Sequence, residues 1–188
     1  MQTRVLMISH AATRAMRTGR FPSDDALESR DIEAARAFGA DRLADLGGHA
    51  GLRVVTSPAR CARETAVAMG FEPQDAPALA DLAFGRWQGR SIKDVVGEDE
   101  RAFGDWIKSP SLAPHGGESF RDVAERVADW LDSAGDGTVI AVTHAVVVRA
   151  ALVRVLDMPL GAFARIEIPP LSLVDLRRSS RGWSYWTG

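Results

Sequence analysis

Three short apolar runs, at 4–9, 52–56 and 138–143, recur along the chain, and each is followed at once by residues suited to a loop or a helix start. The runs are continuous rather than alternating, as expected of strands buried on both faces. Strands of that kind, separated by helical patterns, imply a parallel sheet with right-handed crossovers. Two of the runs end on a histidine: Val5-Leu6-Met7-Ile8-Ser9-His10 and Val139-Ile140-Ala141-Val142-Thr143-His144. Open α/β sheets place their ligands at the C-terminal tips of parallel strands. If the two strands are neighbours, two imidazoles face one pocket.

The remaining pattern fills in the layers. Ser23-Asp24-Asp25 reads as a helix start, and Leu27, Ile32, Ala35, Phe38, Leu43 and Leu46 continue it to Gly47-Gly48. Ser57-Pro58 opens a second helix that runs to about Met69 and stops at Gly70. The stretch 71–112 is irregular, with a short helix expected over 98–108. An amphipathic helix is expected over 118–131 and another over 145–156. The stretches 163–168, 172–177 and 183–186 read as strands of a closing meander. The expected architecture is a three-layer α/β/α domain covering 1–188, with a mostly parallel central sheet and antiparallel additions at one edge.

The bulk properties bound the partners. With 188 residues, 46% hydrophobic and 26% charged, the chain suits one globular domain. A net charge of -2 gives no global attraction to nucleic acid or to an acidic membrane. No apolar run approaches the ~20 residues that span a bilayer, and the first run is too short for a signal-peptide core. Cys61 is alone, which excludes an internal disulfide and fits a reducing compartment. A cytoplasmic protein is expected. Oligomeric state is not legible.

Four segments bear chemistry. His10 is followed by Thr13, Arg14, Arg17 and Arg20, with no acid before Asp24. Ser57-Pro58-Ala59-Arg60 puts an arginine in the first turn of a helix, whose free N–H groups favour an anion. Asp81 lies in the irregular middle, and His144 opens a helix. Taken singly, each has a plain structural reading. The histidines can serve as strand-end hydrogen-bonding groups, Arg60 and the loop arginines as solvated charge, and Asp81 as a loop cap. Taken together they form a phosphoryl site. A neutral imidazole can be the nucleophile, a guanidinium can clamp phosphate oxygens, and a carboxylic acid can protonate a leaving oxygen. Rival chemistries lack their signatures. Cys61 has Val67, not arginine, six residues on. There is no Walker-type loop and no His-Glu-x-x-His spacing. His49 and His115 read as surface residues.

The order of these blocks resembles the histidine phosphatase superfamily, the phosphoglycerate-mutase-like group, along nearly the whole chain. That family opens with Arg-His-Gly, matched by Ser9-His10-Ala11. Its second block, Ser-Pro-x-x-Arg-x-x-x-Thr-Ala with an arginine often at the fourth place, is followed closely by residues 57–66. Its Glu-x-x-x-Gly-x-Trp-Glu-Gly block appears as Asp81 to Gly89, Gly-Gly-Glu-Ser as Gly116 to Ser119, and Val-Ser/Thr-His-Gly as Val142 to Ala145.

The resemblance implies hydrolysis of a small-molecule phosphomonoester without a metal or other cofactor. His10 becomes a phosphohistidine, Arg60 and His144 bind phosphoryl oxygens, and Asp81 acts as acid and then base. Ser9, Thr13, Arg14, Arg17 and Arg20 are candidate phosphate contacts. The substrate class implied is an alcohol-type phosphomonoester, with α-ribazole phosphate, sugar phosphates, phosphoglycerate and nucleotides as candidates. Ser9 stands where the family carries its first clamp arginine, so Arg14 or Arg17 is expected to fold back and replace it. The alternatives are a non-catalytic phosphate-binding or interaction module of the same fold and, third, a mutase-type phosphotransferase.

Overall fold

The computed structural model describes residues 3–44 and 52–187. Strand β1 (Thr3–Ser9) is followed by a short helix, α1 (Arg14–Arg17), and by α2 (Ser29–Arg42). Next come β2 (Arg53–Thr56), α3 (Arg60–Ala68) and a two-residue strand, β3 (Gln74–Asp75). Two helices, α4 (Ile92–Glu98) and α5 (Glu100–Lys108), precede α6 (Phe120–Ser133). Strand β4 (Gly137–Thr143), helix α7 (Ala145–Val155) and the hairpin β5 (Leu173–Ser179) and β6 (Gly182–Trp186) complete the fold.

The six strands form one sheet in the order β3-β2-β4-β1-β5-β6. β1, β2, β3 and β4 are parallel, and β5 and β6 are antiparallel additions beyond β1. Alternate residues of the central strands feed two cores, as the two-residue period requires. Val5, Met7, Val139 and Ala141 pack with α6 and α7, whereas Leu6, Ile8, Ile140 and Val142 pack with α3 and Leu43. This is the three-layer arrangement implied by continuous apolar strands.

Helix α6 shows how sequence sets an element. Ser119 and Asp122 form a reciprocal capping box, and Phe120, Val123, Val127 and Leu131 recur on the buried face. Each such burial contributes about 1.5–3 kcal/mol.

Two expectations need correction. The segment expected to start a helix at Ser23 is a loop, and α2 begins only at Ser29. Asp24 adopts a positive φ of 61°, and its carboxylate accepts a bond from Arg60 N at 2.7 Å. Leu27 N donates to Glu64 Oε2 at 2.6 Å, so tertiary contacts with α3 take the bonds that a helical turn would have made. Leu46, Gly47, Gly48 and His49 lie outside the described residues. The helix expected over 98–108 is present as α5, capped by the Asp99 side chain, and a further helix, α4, precedes it. The strand expected over 163–168 is instead a 3₁₀ turn, Leu160–Arg165, with Phe163 stacked on Phe120 at 4.1 Å. No helix among the described residues is long and apolar enough to cross a membrane.

Candidate active site

Register brings the two histidines together. β1 and β4 are neighbours, and Ser9 pairs with Thr143, so the residues that follow leave the sheet side by side. His10 N donates to Thr143 O at 2.8 Å, and the imidazole centroids stand 5.0 Å apart at 67°. β2 ends on the other side of β4, where Ser57 N donates to Val142 O at 2.9 Å. A cavity of about 610 Å³ opens over these tips, lined among others by His10, Ser57, Cys61, Asp81, His144 and Arg149.

His10 Nδ1–H donates to Ala11 O at 2.7 Å, which leaves Nε2 with a free lone pair. Burial, reinforced by the neighbouring His144, holds its pKa down to about 4. His144 is only 3% exposed, and burial together with Arg126 lowers its pKa to about 3. Its Nε2 shares a 2.8 Å hydrogen bond with Ser57 Oγ. Its Nδ1 lies 3.3 Å from Asp81 Oδ2 without an aligned hydrogen bond. Burial raises Asp81 to about 6 against the opposing pull of His10, the Leu82 N–H and Arg126. The site therefore holds two neutral imidazoles beside a carboxyl group poised to give up a proton in mild acid.

The loop that carries Asp81 is held from behind. Arg126 donates to Ala78 O, Ala80 O and Asp81 O at 2.7, 2.8 and 3.1 Å and pairs with Glu118, whose Oε2 accepts from Ala83 N. Thr143 Oγ1 donates to Leu79 O at 2.7 Å. The two glycines before Glu118 have different reasons: Gly116 adopts a positive φ of 76°, and a Cβ on Gly117 would fall 1.7 Å from Ala83 O. His115, expected at the surface, is 1% exposed, and it packs against Phe84, Trp87 and Trp106.

The other candidate residues divide. Thr13 and Arg20 line the cavity, although Arg20 also donates to Gly89 O at 2.9 Å. Ser9 does not face a ligand: its Oγ donates to Pro169 O at 2.7 Å and accepts from Ser172 N at 2.9 Å. Arg17 does not fold back, because its guanidinium is committed to Asp31 and Glu28. Arg14 is exposed and outside the cavity lining. Arg60 is also outside it; its Nε donates to Glu64 Oε1 at 2.7 Å, and its side chain is 60% exposed.

Counted residue by residue, the arginine of the Ser-Pro-x-x-Arg block falls on Cys61, the neighbour of Arg60 that does line the cavity. The start of α3, expected to take a phosphate, receives the Asp24 carboxylate instead. Asp24 and Asp25 also line the cavity, so Asp81 is not its only acid. Sequence reading missed Arg149, whose spacing of four from Ala145 on α7 puts both on one helix face.

Two strand-tip histidines of a parallel sheet and a buried carboxyl group share one cavity, an arrangement suited to phosphoryl chemistry. The chain belongs to the histidine phosphatase superfamily (branch 1), which its sequence matches over residues 5–187. It is 30% identical over 184 residues to the bifunctional protein Rv2228c of Mycobacterium tuberculosis, covering 91% of this chain and 49% of that protein. The chain thus spans about half the length of that relative. It is 29% identical over 136 residues to the adenosylcobalamin/alpha-ribazole phosphatase of Salmonella typhimurium, covering 66% of this chain and 67% of that one. A solved mycobacterial glucosyl-3-phosphoglycerate phosphatase, Rv2419c, in complex with VO3 superposes with a TM-score of 0.80 at 26% identity, covering 97% and 96% of the two chains.

Proposed function

We propose that the chain hydrolyses a small alcohol-type phosphomonoester through a phosphohistidine on His10. The observation that carries the reading is the pair in one cavity: His10, neutral with Nε2 free, and Asp81, raised to about 6. Nε2 attacks phosphorus, and the ester P–O bond breaks. The leaving alkoxide takes the Asp81 proton. The Asp81 carboxylate then accepts a proton from water, whose oxygen attacks the phosphohistidine and breaks the P–N bond, releasing phosphate and neutral His10. His144 and Thr13 are taken as contacts to the phosphoryl oxygens, with Arg20 and Arg149 as the nearby cations. No step is assigned to a metal. The relatives named as alpha-ribazole and glucosyl-3-phosphoglycerate phosphatases support an alcohol leaving group. The free Cys61 thiol fits a cytoplasmic setting.

A second reading, a phosphate-binding or interaction module without turnover, draws on the three carboxylates of Asp24, Asp25 and Asp81 in the same lining. Incubation with an aryl phosphate in mild acid, beside His10→Ala, separates the two. Turnover that vanishes in the variant, with acid-labile phosphate trapped on the wild-type protein, is the expected result. Turnover that survives His10→Ala rules out the phosphohistidine, and inertness across a phosphoester panel leaves the binding module.

A further inference from the structure

Three of the cavity residues form a cluster of a different kind. His10 and His144 follow the ends of β1 and β4, Cys61 lies in the first turn of α3 after β2, and one ligand atom from each lies within 4.8 Å of the other two. Linear spacing conceals the group, because the sheet order β2-β4-β1 brings the three together.

We propose that His10, Cys61 and His144 form a binding site for a borderline-soft divalent cation of the zinc class. Two imidazoles and a thiolate are the donor set such an ion prefers. From bond lengths of about 2.0–2.3 Å, the donors around a tetrahedral zinc stand roughly 3.3–3.8 Å apart. The observed limit of 4.8 Å thus closes with side-chain shifts of about 1 Å. Each imidazole keeps one nitrogen outside its hydrogen bond. His10 donates Nδ1–H to Ala11 O, which leaves Nε2. His144 engages Ser57 through Nε2, which leaves its buried Nδ1 without a hydrogen-bond partner, 3.3 Å from Asp81 Oδ2. Backbone and hydroxyl groups that fix the second ring nitrogen are the usual outer supports of histidine ligands.

Asp24, Asp25 and Asp81 line the cavity together with Arg20 and Arg149, and the arginine next to Cys61 turns away to Glu64, so the lining carries no excess of positive charge that would repel a cation. On binding, the Cys61 S–H proton passes to solvent and the sulfur coordinates as thiolate. Three protein donors would leave a fourth tetrahedral position for water or a phosphate oxygen. His10 cannot be ligand and nucleophile together, so the bound ion would oppose the hydrolysis proposed above. The site itself does not depend on that hydrolysis.

Titration of the metal-free protein with Co²⁺, followed by displacement with Zn²⁺, tests this. One equivalent of Co²⁺ should give thiolate-to-cobalt charge transfer and the intense visible bands of a tetrahedral site, both erased by Zn²⁺. Cys61→Ser should abolish the charge transfer and weaken Zn²⁺ binding by at least ~100-fold, more than the 10–100-fold of an outer-shell loss. His144→Gln provides a second variant, and thermal unfolding establishes that each is folded. No saturable binding at one equivalent, or binding unaltered by Cys61→Ser, overturns the proposal. Because the readout is spectroscopic, it decides the matter whether or not the protein turns over a phosphoester. If it does, Zn²⁺ should inhibit the wild type and spare Cys61→Ser.

Discussion

At the scale of single residues, Ser9 and Cys61 change what the family pattern means in this chain. Both stand at the block positions where the resemblance puts an arginine, and neither brings a positive charge. Ser9 has been turned into scaffold: its buried hydroxyl ties the end of β1 to the 169–172 turn through two bonds. Ser9→Ala should therefore cost about 1–2 kcal/mol, softened because Ser172 N also reaches Pro169 O at 3.2 Å. In a domain of this size that is a fall of roughly 2–8 °C in Tm, with KM for an aryl phosphate nearly unchanged. Calorimetry and steady-state kinetics on the same preparation check it; a tenfold rise in KM at constant Tm would make Ser9 a substrate contact after all. Arg60 and Arg149 supply a second contrast. Arg149 lines the cavity and Arg60 does not, so Arg149→Ala should lower kcat/KM by about tenfold or more. Arg60→Ala should lower it by less than about threefold. The reverse order would return the clamp role to Arg60.

At the scale of elements, what could be read in advance follows from how local each signal is. β1, β2 and β4 announce themselves because a strand buried on both faces needs a continuous apolar run, and their tips carry His10, Ser57 and His144. α6 announces itself through its cap and its period. The loop from Ser23 to Glu28 does not, since its acids look like a helix start until Arg60 N and the Leu27–Glu64 bond are known. The 3₁₀ turn at Leu160–Arg165 is misread as a strand because Phe163 is apolar for a stack against Phe120, 43 residues earlier in the chain. The Asp81 loop is the most instructive element, because the Gly116-Gly117 pair that shapes it lies more than thirty residues away. Gly117→Ala would drive a Cβ against Ala83 O, displacing the loop by several tenths of an ångström or more. A shift of about 1 Å at an acid costs ~100-fold. The expected outcome is a drop in kcat of that order, while circular dichroism stays native and His10 still accepts phosphate from a substrate whose leaving group needs no proton. Loss of activity on both substrate types would point to collapse of the whole cavity.

At the scale of the molecule, the three-layer packing sets the protonation of the site, and the pH dependence should reveal it. Hydrolysis as proposed needs His10 neutral, above about 4, and Asp81 protonated, below about 6. The rate should trace a bell with its top at about pH 5. Stability runs differently. His10 and His144 have folded pKa values below the ordinary 6.5, so the folded state binds fewer protons than the unfolded chain. Their contribution is complete above 6.5 and is lost as pH falls through about 4 and about 3. Asp81 has the opposite sign. Its folded pKa is raised from 3.8 to about 6, so its contribution is present below 3.8 and lost as pH rises through about 6. Two histidines outweigh one aspartate, and burial of His115 adds to their side. The denaturant midpoint should therefore fall between about pH 7 and pH 4, placing the optimum rate on the descending side of the stability curve. His144→Gln should flatten that descent, and Asp81→Asn should remove the alkaline limb of the rate profile while leaving the descent steeper. A midpoint that stays constant from about pH 7 to pH 4 would mean that the packed fold does not keep these imidazoles neutral, and the nucleophile assigned to His10 would lose its physical basis.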